Sequence, residues 1–249
     1  MIVSHRHRFV FIKTHKTAGT SVEISLSRFA GAEDVITPVA AADEAARKDL
    51  GLAPQNHQGA FNPLPDLWAV TPFSRKRRVL KRWREKRRFY NHMSALEARN
   101  RLGHRVWSDY FTFCFERNPF DKVVSDYFWV LGAKRGAAER SFDDHVRRGR
   151  LPRDWGKYTV GGELAVDFVG RFERLGEDLQ RICEHVGIDD FDGWLPRLKG
   201  AWRDPASKPY QNFIGPEARR RIEELYRHEL DHFGYRFEEA DRALPARMP

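Results

Sequence analysis

The fold of this chain is constrained most by a pattern that occurs twice. A short apolar run stops at small polar residues and restarts as a helix. The first copy is Phe9-Val-Phe-Ile-Lys-Thr-His-Lys-Thr-Ala-Gly-Thr-Ser21, in which Phe9 to Ile12 read as a strand and a helix begins near Gly19. Val22, Ile24, Leu26 and Phe29 give that helix side chains to pack on a sheet. The second copy runs from Tyr110 to Phe115 as a buried strand. Arg117 stands at its exit and Pro119 in the first turn of a helix that continues to about Leu131. A third apolar strand is expected in Asp167-Phe-Val-Gly-Arg-Phe-Glu-Arg-Leu175, before a helix from Gly176 to about Val186. Strands that each feed a helix build an α/β fold, a P-loop-like, mostly parallel sheet flanked by helices, with ligands at the C-terminal strand ends.

A loop between strand and helix aims backbone N–H groups and the positive end of the helix dipole at one point, which favours an anion and above all a phosphate. Lys13 and Lys16 add charge there, Thr17, Thr20 and Ser21 add hydroxyls, and Ala18 and Gly19 complete the loop. The order is not that of a Walker A loop, because Lys16 precedes Gly19 and no glycine lies upstream. In the second copy Arg117 and Ser125 lie eight residues apart across the turn and can converge on another phosphate.

Lys16-Thr-Ala-Gly-Thr-Ser21 together with Arg117-Asn-Pro-Phe-Asp-Lys-Val-Val-Ser125 resembles the signature pair of sulfotransferases that use 3′-phosphoadenosine 5′-phosphosulfate, nearest to the carbohydrate (heparan-type) branch and its bacterial relatives. The resemblance runs loosely from Phe9 to Phe237 and is absent in residues 31–88. It implies that the first loop holds the 5′-phosphosulfate, with Lys16 on the phosphate and the leaving oxygen. It also implies that Arg117 and Ser125 hold the 3′-phosphate, and that a basic loop near Lys208 or Arg203 covers the nucleotide. The family usually has proline where this chain has His15. A histidine between the two motifs serves the family as general base, and His92, in Phe89-Tyr-Asn-His-Met-Ser-Ala-Leu-Glu97, has that placement. Ser94 and Glu97 read as a capping box, which puts His92 in the turn just before a helix.

Other features give weaker direction. With 44 Lys and Arg against 35 Asp and Glu the net charge is +9, which suits a charged nucleotide but equally nucleic acid or an anionic membrane face. The most basic run, residues 75–88, carries Val79, Leu80 and Trp83 at helical spacing, and fits an anionic glycan, an anionic lipid surface or a solvated helix face. No nucleic-acid module accompanies it, so no specific nucleic acid is expected. Residues 31–74 read as an irregular, variable insertion, extending to 88, that shapes the acceptor cleft, with His57 as a possible contact. His228-Glu-Leu-Asp-His232 fits the H-E-x-x-H zinc pattern, yet Gly234 ends that helix at once and the reading expects no metal. Cys114 and Cys183 are expected as buried thiols. A length of 249 residues suits one domain, and the first eight residues do not open an apolar run of signal-peptide type, so a cytoplasmic protein is expected. The resemblance implies a bacterial enzyme, since many animal members of the family carry a membrane anchor. The combined expectation is transfer of a sulfuryl group to a hydroxyl of a glycan or glycolipid. A nucleotide-dependent kinase and a basic nucleic-acid- or membrane-binding protein remain open.

Overall fold

The computed structural model describes residues 1–69, 73–133, 141–198, 204 and 207–238. In chain order its elements are β1 (Ile2–Ser4), β2 (Phe9–Phe11), α1 (Gly19–Ser27), β3 (Val35–Ile36), α2 (Ala41–Lys48), α3 (Leu64–Ala69), α4 (Phe73–Arg84), α5 (Ala95–Leu102), α6 (His104–Asp109), β4 (Phe111–Glu116), α7 (Pro119–Ala133), α8 (Phe142–Arg148), α9 (Trp155–Tyr158), β5 (Thr159–Val160), β6 (Glu163–Leu164), β7 (Phe168–Arg171), α10 (Leu175–His185), α11 (Pro216–Leu225) and α12 (Arg227–Phe233).

Five strands form a sheet in the order β3-β1-β2-β4-β7. Strands β2, β4 and β7 pair in parallel, with Phe11 opposite Phe113 and Glu116 opposite Arg171. Strand β1 runs antiparallel to both β2 and β3, so four of the five strands share one direction. The fold is therefore α/β, a mostly parallel mixed sheet flanked by helices. Alternation along the strands explains the two layers. Phe9, Phe11, Phe113, Phe115 and Phe168 face one side with Val22 and Leu26 of α1 and Leu179 and Ile182 of α10. Val10, Ile12, Cys114 and Val169 face the other, with Phe89, Met93 and Phe233. Both cysteines are free and buried.

Two sequence expectations are corrected here. The strand at Phe9 is not the first, since Ile2–Ser4 already forms one and folds back on it as a hairpin. Nor is residues 31–74 wholly an addition, because Val35 and Ile36 form the edge strand of the main sheet and Ile36 bridges to Gln55. Both strands are too short to show a period, and only the pairing reveals them. The capping box at Ser94 and Glu97 is present as expected.

Candidate active site

The loop after β2 is built from conformations that few side chains adopt. The Ile12 N–H donates to the Phe113 carbonyl at 2.8 Å, so parallel pairing extends to the loop's edge. Beyond it Lys16 (φ 60°) and Ala18 (φ 55°) both sit in the left-handed region, on either side of Thr17. Backbone of this kind turns successive N–H groups into one concavity. Helix α1 starts directly from Ala18 with no side-chain cap and no acid in its first turn, so its positive end is not neutralised. Thr20 is half-buried and Ser21 buried in that first turn. Thr17 points inward instead, its hydroxyl 2.9 Å from that of Thr14, which in turn donates to the Phe115 carbonyl. Gly19 is required by closeness: a Cβ there would lie 2.8 Å from Lys13 Cγ.

That closeness corrects the expectation for Lys13. Its ammonium is turned into the interior, 2.8 Å from Glu23 Oε2, and both groups are buried. Glu23 also receives the Met1 amino group at 2.8 Å and the Thr37 hydroxyl at 2.9 Å. Burial alone would raise the Glu23 carboxyl, but the Met1 amino group and the Lys13 ammonium outweigh it and hold the carboxyl below its usual range. Lys13 therefore fastens α1 to the sheet. Lys16 differs: it is half-buried, with Nζ 5.3 Å from the centre of the Trp129 ring on α7.

Arg117 leaves β4 and folds back on the first loop. Its Nη1 donates to the Lys16 carbonyl at 2.9 Å, Nε donates to Asp121 at 2.8 Å, Nη2 also reaches Asp121, and the guanidinium lies 3.9 Å from the Phe172 ring centre. The second motif thus holds the backbone of the first. Ser125 is half-buried on α7. Lys208 is exposed, two residues from Tyr210, whose hydroxyl accepts from Asn118 Nδ2 at 3.0 Å, so its segment is anchored beside the start of α7. Arg203 lies outside the described residues.

His92 (φ 58°) occupies the turn before α5. Its Nδ1 is 3.1 Å from the Lys13 carbonyl, which only accepts, so Nδ1 carries the hydrogen and Nε2 the lone pair. The His15 ring stacks on it at 4.0 Å between centroids and 10° between planes. His15 is in turn held by Asp154, through its backbone N–H at 2.8 Å and Nδ1 at 2.6 Å. Asp154 also meets the Lys122 ammonium at 2.8 Å, and Lys122 reaches Glu116 at 2.7 Å. Burial first, then the charges of His15, Lys13 and Lys157, push the His92 imidazole down to about 2, so it stays neutral around pH 7. Burial opposes charge on Lys122, but the Asp154 and Glu116 carboxylates outweigh it and hold the ammonium above its usual range. Lys157 donates to the His92 carbonyl at 2.7 Å.

Sequence reading missed Glu116, Lys122 and Asp154. No local pattern marks them, since Asp154 acts on His15 across 139 positions. Other marked residues lie apart from this constellation. His228 and His232 both pack on Trp155 at 5.5 Å, while burial and the nearby Glu116 charge push the Glu229 carboxyl up to about 7. Among the described residues no cluster of three His, Cys, Asp or Glu side chains has metal-binding geometry. His57 has its carbonyl on the Phe89 N–H at 2.9 Å, three residues from His92.

Residues 1–156 match the profile described as the Sulfotransferase family. The match spans more than half of the chain and takes in both loops, His92, Arg117, Ser125 and Asp154. This protein belongs to the sulfotransferase family. It is similar to an uncharacterized protein of Archaeoglobus fulgidus, 32% identical over 103 residues, which are 39% of this chain and 85% of that protein. No solved structure matches. Among the described residues no helix is long and apolar enough to cross a membrane.

Proposed function

We propose that this protein transfers a sulfuryl group from 3′-phosphoadenosine 5′-phosphosulfate to a hydroxyl of a carbohydrate-type acceptor, a glycan or glycolipid, as a single-domain cytoplasmic enzyme. The observation that carries the reading is that two carbonyls of one loop are each gripped by a separate segment. The Lys13 carbonyl takes His92 Nδ1 and the Lys16 carbonyl takes Arg117 Nη1, which gathers an imidazole and a guanidinium on the loop that leads into the uncapped α1.

In this reading the loop N–H groups from Thr17 to Ser21 and the α1 dipole hold the 5′-phosphosulfate. Arg117 and Ser125, with Lys208 from the side, take the 3′-phosphate. The acceptor oxygen attacks sulfur, the bond from sulfur to the bridging oxygen breaks, and 3′-phosphoadenosine 5′-phosphate leaves. His92 Nε2 takes the acceptor proton, and Lys16 balances the charge that develops on the bridging oxygen. A bound donor places negative charge beside His92 and opposes the effect of burial, which raises its basicity at the moment the base is needed. Cations and N–H groups of the chain supply the charge stabilisation, so full activity is expected in excess chelator. A cytoplasmic setting suits two buried free thiols.

Calorimetric titration with 3′-phosphoadenosine 5′-phosphate against AMP, ADP and ATP, in wild type and Arg117→Ala, tests the reading. Tight binding of the 3′-phosphorylated nucleotide alone, lost in the variant, is the expected result. Preference for ATP with magnesium would replace this reading with a kinase.

A further inference from the structure

The net charge of this protein is local. Residues 75–88 hold ten of the 44 lysines and arginines and one of the 35 acids, so the rest of the chain carries 34 of each and is neutral. The whole excess of +9 therefore sits on α4 and the turn after it.

Helices α3 and α4 also carry exposed apolar side chains. Of the eight large apolar residues that stand most exposed among the described residues, four belong to α3 and α4: Leu64 (57%), Trp68 (86%), Leu80 (41%) and Trp83 (47%). The inner face of α4 is fixed. Val79 is buried, and the Arg82 guanidinium sits 3.6 Å from the Tyr90 ring centre and 3.5 Å from Glu97. The outer face carries Arg77, Leu80, Lys81 and Arg84 at the spacing of one helical side, and these line a shallow hollow with Arg78 and Glu85. Lys81 has a long pair with Glu85 at 3.7 Å. Arg77, Arg78 and Arg84 form no ion pair with any described residue.

We propose that α3 and α4 form a docking surface for an anionic lipid bilayer, with Trp68, Leu80 and Trp83 in the interfacial layer and the outer arginines on phospholipid headgroups. A soluble polyanion would satisfy the arginines but give Leu64 and Leu80 no partner. A bilayer interface supplies both, and it is the environment that indole rings favour. The surface is independent of the sulfuryl-transfer reading, since none of these side chains belongs to the candidate site.

Co-sedimentation of the full chain with vesicles of phosphatidylcholine, alone and mixed with phosphatidylglycerol, tests the proposal, together with tryptophan quenching by lipids brominated on the acyl chain. Pelleting with the anionic vesicles only, reversed by salt and accompanied by quenching, is expected. Each cation removed should weaken partition roughly fivefold, so Arg77→Gln/Arg78→Gln/Arg84→Gln should lose about a hundredfold. Trp68→Ser/Trp83→Ser should lose the quenching. All five positions are on the surface, so circular dichroism and nucleotide binding should match wild type in both variants. No pelleting, pelleting whose quenching survives in the tryptophan variant, or capture by heparin or DNA without vesicle partition would each overturn it.

Discussion

The imidazoles of His15 and His92 lie face to face at 4.0 Å, one tied to a buried carboxylate and the other to a backbone carbonyl. Each ring has its Nδ1 engaged, and in His92 this fixes Nε2 as the proton acceptor. Replacing His92 with Asn should therefore cut kcat/KM by about 10²–10⁴, the usual range for a lost general base, while affinity for 3′-phosphoadenosine 5′-phosphate stays within a few fold. Equal losses in turnover and nucleotide binding would mean that His92 supports the loop and is no base.

His15 stands where the resembled family usually has proline, and after burial its charge is the next cause that keeps the stacked His92 neutral. His15→Pro removes that ring and opens His92 to water. Both changes raise the basicity of His92, so the acid limb of the kcat/KM profile against pH should move to higher pH. An unmoved limb, with activity retained, would show that the stack has no part in setting the base.

Burial of neutral His92 also makes stability depend on pH. Its folded value of about 2 lies below the ordinary 6.5, so unfolding takes up a proton between those limits. Stability from this group is complete above pH 6.5 and is lost as pH falls. The slope is up to about 1.4 kcal/mol per pH unit for one proton. His57, lowered by burial and then by the Arg87 charge, acts in the same direction, so the comparison has to be between variants. Urea melts at pH 4.5, 5.5, 6.5 and 7.5 should show a gentler fall for His92→Asn than for wild type. Parallel curves would contradict the buried neutral state.

What the sequence made legible was local. The strand exits at Ile12 and Glu116, the two helices after them and the capping box before α5 each carry their own signal within about ten residues, in apolar period or in cap chemistry. Apart from the resemblance, which singled out Lys16, the residues alone did not tell Lys13 and Lys16 apart, because a loop has no period to say which side chain turns inward. The residue that decides it, Glu23, lies on α1, a helix buried on every side from Gly19 to Ser27 apart from Thr20, where it looked like any polar position. Strand β3 and Asp154 were hidden for a related reason, since their partners come from distant segments, and the three residues of β1, though paired locally, are too few to show a period.

Gly19 tests the inward placement of Lys13. The Cβ of Gly19→Ala meets Lys13 Cγ at 2.8 Å, so either the lysine leaves Glu23 or the start of α1 shifts. Overpacking of this kind costs about 1–3 kcal/mol. Because the displaced N–H groups are those proposed to hold phosphate, nucleotide affinity should fall at least tenfold, measured by titration calorimetry beside a thermal melt. Wild-type affinity and stability together would mean that the loop yields without cost.

Lys122 tests the buried network that holds His15. Its ammonium lies between Glu116 and Asp154 with no exposed surface and pairs with both carboxylates. Lys122→Met leaves two carboxylates buried without their cation, and breaking a buried pair from one side costs about 3–5 kcal/mol. The chain should melt far lower or fail to accumulate. Adding Glu116→Gln and Asp154→Asn removes the stranded charges and should restore most of the stability. The amide at position 154 still offers one oxygen to His15 in place of two, so the restored protein should bind nucleotide yet turn over more slowly than wild type. Full recovery of stability and rate together would show that the network only fills space. Failure of the triple variant to regain stability would show that it contributes more than charge balance to the fold.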